Sequence, residues 1–280
     1  MKLQKILISL FLLFSLLVIP QASFAISNLT VHFINVGQGD SALIKTPSGE
    51  NFLIDGGKKS QGSTVINYLK KQKVKTLNAI IATHPDADHI GGLEQVIRYF
   101  NVKSVYAPKV SNNTITYKNF LLAVKKKHLT IKTAKTGVTI PIKDKKTSAK
   151  FIAPVRSYSK SDTNNWSGVL LLKHNKKSFL FTGDAEKASE NDMLSKRLVP
   201  DIDVLKVGHH GSKYSSNTNF LKKARPNYAI ISVGKNSYGH PTSDVLKRLN
   251  SVHAKIYRTD KSHNIIVTST GTKLSIRTVK

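Results

Sequence analysis

The chain has 280 residues, carries 44 Lys and Arg against 16 Asp and Glu for a formal charge of +28, and contains no cysteine. These figures exclude a disulfide-held scaffold, a lipid-modified N-terminal cysteine and any thiolate metal site, so a bound metal must use His, Asp or Glu. The charge draws polyanions by steering and counterion release, which makes nucleic acid, anionic wall polymers and acidic membrane surfaces the partner classes to weigh, although runs such as Lys125-Lys126-Lys127 also serve as plain solvated faces.

In chain order, Lys2 and Lys5 precede an uncharged apolar run from Ile6 to Ile19, and Ser23-Phe24-Ala25 sets small residues where signal peptidase cuts. The run is shorter than the roughly 20 residues of a membrane-spanning helix, so residues 1–25 read as a secretory signal peptide, cleaved near Ala25, and the protein as secreted with no transmembrane partner implied. Without Lys2 and Lys5 the charge falls from +28 to +26. No linker, low-complexity stretch or repeat divides residues 26–280, which are expected to form a single domain.

Short β-rich runs are predicted at 29–36, 42–46, 51–54, 77–83, 103–107, 150–153, 168–173, 178–182, 203–207, 228–233, 255–257, 265–268 and 273–276. Apolar spacing of three and four predicts helices at 64–71, 93–100, 118–128, 185–198, 219–224 and 243–250. Strand pairs near each end, with strands and helices alternating between, point to an α/β fold of two mixed sheets packed face to face under outer helices.

The strand at 77–83 runs into His84-Pro85-Asp86-Ala87-Asp88-His89, followed by Gly91-Gly92. Pro85 keeps the preceding residue extended and delays a helix, and the glycines permit close packing beneath the loop. Asp88 is also compatible with a helix N-cap, yet two His and two Asp crowded into six positions repel or titrate badly without a cation. Further motifs follow strands: Val36-Gly37-Gln38-Gly39-Asp40-Ser41, Leu53-Ile54-Asp55-Gly56-Gly57, Phe181-Thr182-Gly183-Asp184, Leu205-Lys206-Val207-Gly208-His209-His210-Gly211-Ser212 and Tyr238-Gly239-His240-Pro241.

Together these resemble the HxHxDH signature of the metallo-β-lactamase superfamily in an HxDxDH form, and most closely the hydrolase domain of the ComEC competence-protein family, over most of 29–280. The resemblance implies an αββα sandwich with two divalent metal ions, zinc or manganese with magnesium possible, at one edge. It implies His84 and Asp86 on one metal, Asp88 and His89 on the other, and Asp184 bridging, where an N-cap of the following helix is the alternative for Asp184. His209 and His240 are expected to complete the shells. Asp88 and His210 are expected to take part in catalysis, His210 by orienting or protonating substrate; adjacent histidines point apart, so one of the pair binds metal, and which one stays open. Asp55 is expected to support the metal loop by hydrogen bonding, Gln38 and Asp40 to line the cleft, and Lys206, Ser212 and Lys213 to face substrate.

Many relatives carry a His where this chain has Asn164-Asn165-Trp166. With Asp86 in place of a second His, this shifts the site toward oxygen ligands, which suit Mn²⁺ or Mg²⁺ while leaving Zn²⁺ feasible. Two ions roughly 3.5–4 Å apart suit in-line hydrolysis of a phosphodiester by a bridging hydroxide. The expected activity is a phosphodiesterase on nucleic acid. The alternatives are a phosphoesterase on teichoic acid or another anionic wall polymer, and a non-catalytic DNA- or wall-binding protein. The channel and oligonucleotide-binding parts of the ComEC family have no counterpart in the sequence, so a free-standing enzyme is expected and a role in DNA uptake is not inherited.

Overall fold

The structure is a computed structural model that describes residues 28–280. The signal peptide expected at 1–25 lies outside these residues. Among the described residues no helix is long and apolar enough to cross a membrane.

Period-two alternation builds three layers of core. In the strand Ala79–Ile81, Ala79 and Ile81 join the central core and Ile80 joins the core under the helices, and Phe52 and Ile54 alternate with Leu53 in the same way. On the other sheet Phe179 and Phe181 face the central core, while Leu180 faces outward. These strands are therefore apolar on both faces, as the covered middle of a sheet requires. The central core draws on residues from Leu29 to Val267, so both halves of the chain close it.

The first sheet runs, edge to edge, through Leu274–Val279, Asn264–Ser269, Leu29–Phe33, Ala42–Lys45, Asn51–Ile54, Ala79–Ile81, Val105–Ala107 and Ile131–Thr133. The second runs through Lys255–Arg258, Tyr228–Ile231, Val204–Lys206, Lys177–Phe181, Leu170–His174, Thr147–Phe151 and Thr139–Ile140. Each sheet is antiparallel along one side and parallel along the other. Helices Gly62–Lys71, Leu93–Tyr99 and Ile115–Lys126 cover the first sheet, and Lys187–Ser195, Thr218–Ala224 and Ser243–Ser251 the second. The αββα sandwich is the expected one.

Local chemistry moved several boundaries. The run expected as one strand at 77–83 is split: Thr76–Leu77 pairs with Asn101–Val102 in a small separate sheet, and Ala79–Ile81 joins the large one. The helix expected from 118 begins at Ile115, because the Thr114 hydroxyl accepts the Tyr117 N–H at 3.2 Å and caps it. The helix expected from 185 begins at Lys187, its N-cap position held by Glu186. Asp184 is therefore not a cap.

The parallel strands all end on one edge. Asp55 follows Asn51–Ile54, His84 to His89 follow Ala79–Ile81, Asp184 follows Lys177–Phe181, His209 and His210 follow Val204–Lys206, and Ser232 follows Tyr228–Ile231. Carboxyl ends of parallel strands are where α/β sheets place their sites. Two close approaches seal that edge. A Cβ on Gly39 would lie 2.4 Å from the Asp88 carbonyl oxygen, and one on Gly92 would lie 2.2 Å from the Gly56 carbonyl oxygen.

Behind the edge, buried Glu190 accepts hydrogen bonds from the Ser216 and Asn217 amides and the Asn217 side chain, tying its helix to the turn after His210. Burial pushes its carboxyl up to about 7, against the hydrogen bonds from Asn217 and Ser216. The folded value stands above the ordinary 4.5, so this contribution to stability is full below about pH 4.5 and is lost as pH rises through about 7. The loss is on the order of 3 kcal/mol. The melting temperature of the wild type relative to Glu190→Gln is expected to fall between about pH 4.5 and about pH 7; a difference independent of pH refutes the assignment. Gly92→Ala is expected to cost at least about 2–3 kcal/mol, since carbonyl backbone cannot yield to a methyl group, and an unchanged urea midpoint would contradict it.

Candidate metal centre

Three imidazoles are each anchored through one nitrogen. His89 Nδ1–H donates to Asp55 Oδ2 at 2.8 Å, His210 Nδ1–H donates to the Ser232 carbonyl at 2.9 Å, and His84 Nδ1 meets the Thr83 hydroxyl at 3.1 Å. Thr83 in turn gives its hydroxyl and amide hydrogens to Asp55, at 2.7 and 2.8 Å. This fixes each ring and leaves Nε2 as the free acceptor, the tautomer that metal-binding histidines adopt.

Those Nε2 atoms converge on carboxylates. His89 Nε2 lies 3.2 Å from Asp184 Oδ1, His210 Nε2 lies 3.3 Å from Asp88 Oδ2 and 3.5 Å from Asp184 Oδ2, and His84 Nε2 lies 3.7 Å from Asp86 Oδ2 and 3.9 Å from Asp184 Oδ2. Two ligand atoms sharing a cation, each about 2.0–2.2 Å from it, stand up to about 4.4 Å apart. Two sets have donor atoms mutually within 4.8 Å: His84, His89 and Asp184, and Asp40, His89 and His210. Of the eight buried side-chain nitrogen and oxygen atoms without a hydrogen-bond partner among the described residues, five belong here: Asp40 Oδ1, His84 Nε2, His89 Nε2, Asp184 Oδ1 and His210 Nε2. Buried polar atoms are rarely left so. A cluster of them, all acceptors, fits a cation.

The titration directions agree. Burial opposes charge throughout, yet Asp184, Asp40 and Asp55 hold His89 well above its ordinary value, and Asp184, Asp40 and Asp88 raise His210 to about 9. Against the same burial, His89 and His210 hold Asp184 far below the carboxylate range. His84 is pushed down to about 4 by burial and then by His89. Imidazoles drawn toward the charged form mark a site that demands positive charge.

The metallo-beta-lactamase superfamily model matches residues 34–235, which span every residue of this cluster. The chain belongs to that superfamily. It is 33% identical over 255 residues to ComE operon protein 3 of Bacillus subtilis, covering 84% of this chain and 32% of that protein. To Recombination protein 2 of Haemophilus influenzae it is 30% identical over 253 residues, covering 88% of this chain and 30% of that one. Both are ComEC-like competence proteins, and the chain spans about a third of their length. Solved structures share the fold: the metallo-beta-lactamase fold protein YhfI from Bacillus subtilis (TM-score 0.54, 13% identity, 85% of this chain and 98% of that one) and a diphosphatase from the PhnP family (0.51, 13%, 86% and 99%).

Within this superfamily frame, the structure brings together His84, Asp86, Asp88, His89, Asp184 and His210, with Asp55 bonded behind them. Several expectations change. His209 and His210 both present Nε2 to Asp184 Oδ2, at 3.8 and 3.5 Å; His210, expected beside the metals, is buried and also meets Asp88, while His209, held through Nδ1 by Glu186 Oε1 at 2.9 Å, stays partly open to solvent. Both residues take left-handed backbone, φ 47° and 53°, and their rings meet edge-on at 6.0 Å. His240 stands outside both donor sets, its ring edge-on to His209 at 5.4 Å. Lys206 does not face substrate: it is buried, ion-paired with Asp40 and donates to the Gly183 carbonyl at 3.2 Å. Ser212 is buried too, its hydroxyl accepting the Tyr214 amide at 3.3 Å. Lys213 is exposed, on an open cavity that also includes Glu186. Gln38 is buried against Gly234 rather than lining a cleft, accepting that amide at 3.3 Å.

Sequence reasoning missed Thr83, Glu186, Ser232 and Ser167, whose hydroxyl accepts the Asp184 amide at 3.0 Å. Thr83 adjoins the motif and was within reach of a local reading; Ser232 acts through a backbone carbonyl, which no residue identity announces. Asn164 is no substitute for the absent histidine: it donates to Glu186 Oε1 at 3.0 Å, on the far side of His209.

If Asp55 fixes the His89 tautomer, Asp55→Asn lowers divalent-metal affinity about 10–100-fold, as partners of ligating histidines do, measured by chelator competition. In the same titration His210→Ala is expected to lose bound metal while His209→Ala keeps it; the reverse order would restore the original assignment.

Proposed function

We propose that this protein is an exported metal-dependent phosphodiesterase acting on nucleic acid, with metal held by His84, Asp86, Asp88, His89, Asp184 and His210. The observation that carries the reading is the convergence of unpartnered, buried acceptor atoms on Asp184. Zinc or manganese held by these residues would supply Lewis acidity and activate water at neutral pH.

The chain's own groups have separable tasks. Asp86, Asp88, Asp184 and, behind His89, Asp55 bring negative charge that balances two divalent ions, and buried Lys206 offsets Asp40 beside them, so preference for an anionic diester over a neutral lactam comes from the basic surface around the centre. His209, held through Nδ1 by Glu186 and with Nε2 3.8 Å from Asp184 Oδ2, is placed to give a proton to the leaving oxygen. The formal charge of +28 supports a polyanionic substrate, and the similarity to competence proteins supports nucleic acid among polyanions. Export rests on the sequence of residues 1–25 alone.

Metal content measured together with hydrolysis of bis(p-nitrophenyl) phosphate, single-stranded DNA and teichoic acid tests the reading. Metal-dependent cleavage of DNA is expected, and Asp184→Asn should abolish it while sparing polyanion binding that weakens steeply with salt. Release from teichoic acid with no DNA cleavage under any metal would overturn the nucleic-acid substrate. Undiminished turnover in Asp184→Asn would overturn the mechanism.

A further inference from the structure

Two exposed tyrosines lie near His209, one reached through His240 and the other in a cavity wall shared with Glu186. Tyr238 is 72% exposed, and its ring lies at 5.6 Å and 30° to that of His240. His240 is in turn edge-on to His209, whose Nε2 is 3.8 Å from Asp184. Tyr214 is 59% exposed and lines an open cavity of about 680 Å³ together with Glu186, Lys187 and Lys213. Glu186 in that wall is the carboxylate that holds His209, and the Lys213 ammonium stands 5.1 Å over the Tyr214 ring. Lys187 and Lys213 are exposed and form no ion pair among the described residues.

A single exposed ring asks for no explanation, but two near one candidate centre do. Cations alone would serve any phosphate polymer. Flat aromatic faces beside them serve a ligand that is itself flat and aromatic at each repeat, and such faces are offered by bases that are not paired in a duplex.

We propose that Tyr214 and Tyr238 form a stacking platform for the nucleobases on either side of the reacting phosphate, with Lys187 and Lys213 holding neighbouring phosphates. The site thereby takes single-stranded nucleic acid in preference to base-free polyanions. This inference rests on the phosphodiesterase reading and adds the side chains that choose the substrate.

The test is fluorescence anisotropy in the Asp184→Asn protein, with an oligothymidylate and an abasic strand of equal length and charge. The thymidine strand is expected to bind at least about 10-fold tighter; Tyr214→Ala and Tyr238→Ala should each erase about 5-fold or more of that preference, and the Phe variants should keep it, since stacking needs the ring alone. The slope of affinity against salt should not move in any of the four, because no phosphate contact is lost. Circular dichroism separates a misfolded variant from an impaired one. Equal binding of the two strands, or a preference that survives both Ala variants, overturns the platform. If metal-loaded wild type cleaves thymidine and abasic strands at equal rates, the platform falls and the phosphodiesterase reading stands. If it cleaves neither and hydrolyses teichoic acid, the platform and the nucleic-acid substrate fall together.

Discussion

Asp184 carries a carboxylate almost wholly removed from water, and a charge so placed costs several kcal/mol unless opposite charge is brought to it. Its surroundings are arranged around that demand. His84, His89 and His210 turn Nε2 toward it, and Lys206 stands 4.0 Å from its Oδ1. The outer hydrogen bonds then follow, since each imidazole must be held from its other nitrogen to point inward: Asp55 and Thr83 serve two of them and the Ser232 carbonyl the third. Asp40 belongs to the same balance, because it compensates Lys206 and so limits how much of that charge reaches Asp184.

Much of this was legible in the sequence because its signals are local. The run from His84 to His89 fits four ligand-capable residues and a turn-forming proline into six positions, and the unbroken apolar runs Phe52-Leu53-Ile54 and Ala79-Ile80-Ile81 announce strands covered on both faces. Asp55 and Asp184 were readable as polar residues directly after apolar strands. Short edge strands such as Ile131–Thr133 were not, for an edge that is exposed on every residue carries no alternation to detect.

The histidine pair shows where local reading stops. His209 and His210 sit in a turn with two successive left-handed residues, a conformation that costs about 1–3 kcal/mol per residue and persists only when its surroundings over-determine it. Those surroundings are remote in sequence: the His209 amide donates to the Gly183 carbonyl at 3.2 Å, and Glu190 gathers the amides that close the turn. Which ring turns inward is therefore decided by contacts some twenty residues upstream. Lys206 misleads for a similar reason. A lysine beside an active-site motif suggests a substrate contact, and only Asp40, distant in the chain, draws it inside.

The edge on which the parallel strands end has a mechanical consequence. His84, Asp86, Asp88 and His89 leave the first sheet, whereas Asp184 and His210 leave the second. Neither sheet alone owns a complete ligand set. A cation shared between them would act as a rivet through two plates, binding only after the sheets have docked and adding its binding energy to their cohesion. In a chain without cysteine, such an ion would add a second tie, at the edge, between sheets already joined by their shared apolar core.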